Sequence, residues 1–111
     1  MASYAEGTYT PGATGTSWNT VDGSNTDAGW FSLIVDWSNL VAGETVEWRI
    51  TTTILSGGTE RQAVVAPAHG AQDSLLLIFP VPCRYDWSIE MRQLNGTARA
   101  FPWRCERATL T

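Results

Sequence analysis

Few residues in this chain could do chemistry, and their spacing does not bring them together. His69 is the sole histidine. A general base beside Ser74 or a cysteine would activate a nucleophile. Nothing in the sequence positions such a pair, and His69, flanked by Ala68 and Gly70, reads as a solvated loop residue. Zinc takes three or four close nitrogen or sulfur ligands, which one histidine and the separated Cys83 and Cys105 do not supply. Asp22-Gly23-Ser24-Asn25-Thr26-Asp27 is oxygen-rich, but it lacks the spacing and terminal Glu of a calcium loop and reads as turn chemistry. The glycine-rich segments carry no Lys and do not lead a strand into a helix, so they fail as phosphate loops. No catalytic residue, metal or cofactor is therefore expected, and the chain is read as a non-enzyme.

Residues suited to contact are more plentiful. Six Trp stand in 111 residues. Trp37, Trp48, Trp87 and Trp103 share the apolar parity of their segments and are expected in the core. Trp18 and Trp30 do not fit a core stripe. An exposed Trp can anchor a protein interface or stack on a sugar, although the acidic residues expected beside a sugar platform are not evident. Asp73 to Val81 is nearly continuous apolar sequence, with Leu75, Leu77 and Phe79 among its members. Such a run is covered on both faces or has one face in an interface. Arg84, Arg92, Arg99 and Arg104 fall on the outer parity of the last two segments, where guanidinium forks could bind carboxylates of a partner or simply face solvent.

Charge narrows the partners. The net charge is −4, only 16% of residues are charged, and all seven cations are Arg, with no Lys. These arginines are spread from Arg49 to Arg107 without a cluster, which disfavours nucleic acid and anionic membranes. Met1 to Gly7 has neither the basic nor the apolar segment of a signal peptide, so a cytoplasm-like compartment of synthesis is expected. Leu75 to Val81 is too short to span a bilayer.

The elements that must position these residues are strands. From Gly29 onward a period-2 alternation dominates. It predicts strands over Trp30–Leu40, Thr45–Leu55, Thr59–Ala66 and Asp73–Val81, with a loop over Pro67–Gln72. Pro80 and Pro82 are expected to break the ladder. Two further strands, Cys83–Leu94 and Arg99–Leu110, are expected to form a hairpin about Asn95-Gly96. Residues 1–28 are rich in Gly, Thr and Ser and poor in large apolar side chains. They read as an extended arm with at most a short strand from Tyr4 to Tyr9, able to reach roughly 90 Å when fully extended. The expected fold is all-β: an antiparallel sandwich or partly closed barrel of six to seven strands over residues 29–111, with the arm outside it. In the hairpin register centred on Gly96, Met91 faces Phe101, Ile89 faces Trp103 and Trp87 faces Cys105. Cys83 then lies about 13 Å from Cys105 along the strand, beyond disulfide reach, and two reduced, core-facing thiols are predicted.

Three segments together resemble a family of small proteins encoded by tailed bacteriophages and prophages. Val35-Asp36-Trp37-Ser38-Asn39-Leu40-Val41-Ala42-Gly43-Glu44-Thr45-Val46-Glu47-Trp48-Arg49-Ile50 resembles the family's strand–loop–strand with Gly-Asp/Glu and a following Glu-x-Arg. The Pro80-Val81-Pro82 break is the second segment. Gln93 to Arg104 is similar to the ending Gln-Thr-x-Gly-Thr-x-Arg-x-Phe-Pro-Trp-Lys. Cys83 stands where Ser is expected. The resemblance covers roughly residues 30 to 108 and implies a virion structural role. It suggests a head decoration or cement protein on the capsid surface, assembled in the host cytoplasm and bound between major capsid subunits. On that reading the partner-binding residues are Tyr4, Tyr9, Trp18 and Trp30, the apolar Leu75, Leu77 and Phe79 that could seal a trimer axis, and Arg84, Arg92, Arg99 and Arg104. A carbohydrate-binding module and a tail or head-completion component are the alternatives.

Overall fold

A computed structural model describes residues 2–109. Eight strands follow one another: β1 (Ala2–Tyr9), β2 (Asn19–Asn25), β3 (Gly29–Val35), β4 (Thr45–Thr52), β5 (Arg61–His69), β6 (Leu76–Cys83), β7 (Trp87–Gln93) and β8 (Phe101–Ala108). They form two four-stranded antiparallel sheets, ordered β1-β8-β3-β6 and β2-β7-β4-β5. The protein is a β-sandwich with no helix among the described residues and no closure into a barrel.

Alternation builds the core. Phe31, Leu33 and Val35 of β3 point inward from the first sheet, and Val46, Trp48 and Ile50 of β4 point inward from the second. Trp87, Ile89 and Met91 add to the second layer, and Leu76, Ile78, Phe101 and Cys105 to the first. Aromatic rings bind the layers together. Phe31 and Trp87 lie with ring centroids 3.9 Å apart, Tyr4 meets Phe31 edge-on at 5.1 Å, and Trp48 meets Phe101 edge-on at 6.3 Å. Edge-to-face contacts of this kind satisfy the ring quadrupoles as well as burying area.

Several expectations are corrected. Among the described residues there are eight strands, because the stretch expected as an arm with at most one short strand supplies two. β1 pairs only with β8 and β2 only with β7, so each is the edge strand of a different sheet. Tyr4, Tyr9 and Val21 pack against the core from these strands, which a Gly- and Thr-rich composition conceals because only a few large side chains are needed at an edge. Met1 and Leu110 lie outside the described residues.

The hairpin between the last two strands does not form: β7 and β8 belong to opposite sheets. The apolar parity that suggested their pairing is satisfied across the core instead of along a ladder. Asn95 does not turn a hairpin either. Its side-chain amide donates to Gly43 O at 2.8 Å, and its Oδ1 accepts from Thr45 N at 2.9 Å, so it ties the crossover to the start of β4.

β6 runs through Pro80 and Pro82 without stopping. It is an edge strand, where missing N–H groups are tolerated, and its register shifts opposite the Phe31–Leu33 step. Cys83 therefore ends β6, and β7 starts only at Trp87. Pro67 to His69 continue β5. β4 ends at Thr52, which leaves Ile54, expected inside, 81% exposed in the following turn. Trp103 is only partly buried, packed at the margin of the core opposite Gly7, which has no side chain to cover it. Both thiols are free and buried. The reason differs from the expected one: Cys83 pairs opposite Gly29 and Cys105 opposite Leu33, with β3 between their strands.

Candidate interaction surfaces

The groups with catalytic potential are dispersed. His69 closes β5 at an exposed position, its Nδ1 3.0 Å from Thr45 Oγ1. The Ser74 carbonyl accepts from Trp37 Nε1 at 2.6 Å. In the Asp22–Asp27 stretch, Asn25 donates to Asp22 O and Asp27 accepts from the Tyr4 hydroxyl at 2.9 Å. Among the described residues no group of three or more His, Cys, Asp or Glu side chains could hold a metal ion.

The outer face of the first sheet carries an apolar strip. Strand alternation sends Leu76 and Ile78 into the core and leaves Leu75, Leu77 and Phe79 outside, exposed by 55%, 59% and 82%. The run, expected either to be covered on both faces or to keep one face for an interface, is covered on one face only. Leu77 pairs beside the half-buried Ile34 of β3, and Trp30, 40% exposed, pairs beside Pro82. Adjoining the strip is a groove of about 460 Å³ whose lining includes the apolar Ile34, Leu75 and Pro102 and the charged Glu6, Asp36 and Arg104. Asp36 accepts from the backbone N–H and hydroxyl of Ser38, which holds its carboxyl below the usual range.

The outer face of the second sheet carries ion pairs. β4 reads Glu47-x-Arg49 and β7 reads Glu90-x-Arg92. Antiparallel pairing places Glu47 opposite Arg92 and Arg49 opposite Glu90, and both pairs close at 2.6 Å. Trp18 lies over them, its ring 3.9 Å from the Arg49 guanidinium carbon and 4.3 Å from that of Arg92. Arg92 also donates to Thr16 O at 2.9 Å. This arrangement pins the 10–18 connection onto the sheet. A repeated Glu-x-Arg on two strands is the sequence signal that announces it.

Of the residues singled out for partner contact, the structure brings Leu75, Leu77, Phe79 and Trp30 onto one face. Trp18 and Arg92 are engaged with one another on the opposite sheet. Tyr4 packs on Phe31 and Trp87, and burial with the Asp27 hydrogen bond pushes its hydroxyl up to about 12. Tyr9 packs beside the core. Arg99 is held by Glu44 at 3.0 Å. Arg104 sits by the groove with Glu106 at 3.1 Å and its side chain half exposed, and Arg84 is exposed in the turn after β6.

The Glu44 contact is not visible in the sequence. Gly43 and Glu44 read as loop, yet Glu44 is only 5% exposed and accepts from the backbone of Val41 and Thr97 as well as from Arg99. These donors hold its carboxyl below the usual range. No protein-family model, no curated protein and no solved structure matches this chain.

Proposed function

We propose that this protein is a non-enzymatic structural component of a bacteriophage virion, a capsid decoration protein that stabilises the head by binding between major capsid subunits. The observation that carries the reading is the apolar strip Leu75–Leu77–Phe79 with Trp30, exposed on an otherwise well-formed sandwich. Exposed apolar strips of this kind mark interaction sites. The resemblance of three segments to a phage protein family supports a capsid as the partner.

Burying Leu75, Leu77 and Phe79 would contribute on the order of 3–6 kcal/mol, taking about 1.5–3 kcal/mol per fully covered side chain and scaling by exposure. That is too little to offset the cost of association alone, so the charged lining of the groove has a part. Arg104 would fork onto a capsid carboxylate there. The acidic net charge suits an outer surface away from packaged DNA.

The test is sedimentation of purified protein with heads that lack it. Hundreds of copies per head, lost on Phe79→Asp, are expected, together with heads that resist heating better when decorated. A dozen copies or fewer would replace this reading with a tail or head-completion role, and no binding at all would end it. Binding to glycans that depends on Trp30 would favour the carbohydrate module.

A further inference from the structure

The sandwich has four edge strands, and a free edge invites strand addition unless something blocks it. Three of the four each carry a charge with a register shift. β1 has an outward Glu6 and a register shift between Ser3 and Ala5. β2 has two register shifts and Asp22. β5 has Arg61, Pro67 and a shift opposite Ile50–Thr51. β6 is guarded in its second half only, by Pro80, Pro82 and the shift beyond Ile78. Its first half has none of these devices: Leu76, Leu77 and Ile78 pair regularly with Val35, Ile34 and Leu33. Not one charged residue occurs from Ser74 to Cys83 in a chain of net charge −4.

We infer that this half of β6 pairs antiparallel with β6 of a second copy about a two-fold axis at Leu77. The sequence is self-complementary in that register. Leu77 faces Leu77 of the other copy, and Leu75 faces its Phe79, on the outer face. Leu76 faces Ile78 on the inner face, so the two cores run on without a polar interruption. Directly opposed side chains come within about 5 Å, which sets Phe79, the most exposed of the strip, against Leu75 at the wall of the groove. An antiparallel pairing of one strand with itself is isologous and closes with two copies, unlike the trimer that the family resemblance suggests.

Both first sheets become one eight-stranded sheet, and the two apolar strips lie side by side on its outer face. The pairing thus deepens the capsid reading, by doubling the width of the docking strip, but it stands on the β6 edge alone. A contact of five residues a side buries less than the roughly 1,200 Å² of a stable complex, so the dimer is concentration-dependent.

The test is analytical ultracentrifugation of the whole protein with cross-linking of Leu77→Cys. The mass should rise from 12.1 kDa toward twice that value with concentration, and Leu77→Arg, which opposes two cations at the axis, should abolish the rise. Leu77→Cys should link to itself under mild oxidation or a short bismaleimide. Leu75→Cys and Phe79→Cys should each link poorly alone and readily when mixed. All three positions, Leu75, Leu77 and Phe79, are exposed, and circular dichroism verifies the fold. A monomer at every concentration, a trimer, or equal linking by Leu77→Cys and by the exposed control Leu55→Cys would overturn the inference. Head sedimentation reads the capsid interaction separately, so a monomer that still decorates heads refutes only the pairing.

Discussion

Arg99 grips Glu44 with two nitrogens, Nε 3.1 Å from Oε1 and Nη2 3.0 Å from Oε2. The two residues lie in different connections, one before β4 and one in the crossover from β7 to β8. Together with Asn95 they join the two sheets at one end of the sandwich. Gln93 completes the arrangement: fully buried, it donates to Asn95 O and Thr97 O and accepts from Arg99 N.

Glu44→Gln removes the charge that these donors surround, and its melting temperature should fall by roughly 5 °C or more at neutral pH. A carboxyl held below its ordinary 4.5 stabilises the folded state above that pH, and the contribution is lost as pH falls through the lower folded value. The gap between the wild-type and Glu44→Gln melting temperatures should therefore be constant near neutrality and shrink below about pH 4.5. A gap that widens in acid would contradict the assignment.

Gly96 has φ +80°, and a Cβ there would fall within 2.6 Å of Glu44 Cγ. Gly96→Ala should cost about 1–3 kcal/mol, from backbone conformation and from displacing the carboxylate together. Urea unfolding measures it. Gly12→Ala, where nothing lies near the added methyl, should change stability far less.

Trp18→Ala should cost about 1 kcal/mol by uncovering Arg49 and Arg92. In a double-mutant cycle with Arg92→Gln, the coupling should be about 0.5–1 kcal/mol. Additive effects would mean the ring merely lies near the guanidinium groups.

The thiols should be inert. Burial pushes Cys83 up to about 11 and Cys105 up to about 12, so neither forms the reactive thiolate near neutral pH. A colorimetric thiol reagent at mildly alkaline pH should label neither cysteine in the native protein and both in guanidinium. No labelling in guanidinium would indicate a disulfide.

Removing residues 1–9 should destroy cooperative unfolding. An arm could be cut away with the body intact, but β1 covers Phe31 and Trp87 through Tyr4 and occupies the outer edge of β8. Far-UV circular dichroism and a thermal scan distinguish the two.

Alternation made β3, β4 and β7 legible, because their inner and outer residues differ sharply. The same signal misled about β7 and β8, since matching apolar parity does not tell whether two strands are neighbours in one sheet or face each other across a core. β1 was legible only as a short strand from Tyr4 to Tyr9, and β2 was hidden by its short polar residues, which serve an edge as well as a tail. The apolar strip was visible as Leu75 to Phe79, but only the edge position of β6 shows which side of it is bare. Glu44 was illegible because Thr97 and Arg99 reach it from the β7–β8 crossover, far along the chain, and no local pattern encodes that meeting.

The pairing of β1 with β8 also orders events in time. Tyr9 meets Phe101 and Ala2 meets Arg107, so β1, once synthesised, waits for about 90 further residues before its lateral partner β8 exists. Contacts of such long sequence separation slow folding. The first sheet is therefore completed after β8 has emerged, and a nascent chain stalled before that point would present Tyr4 and the Phe31–Trp87 rings to chaperones as unfinished surface.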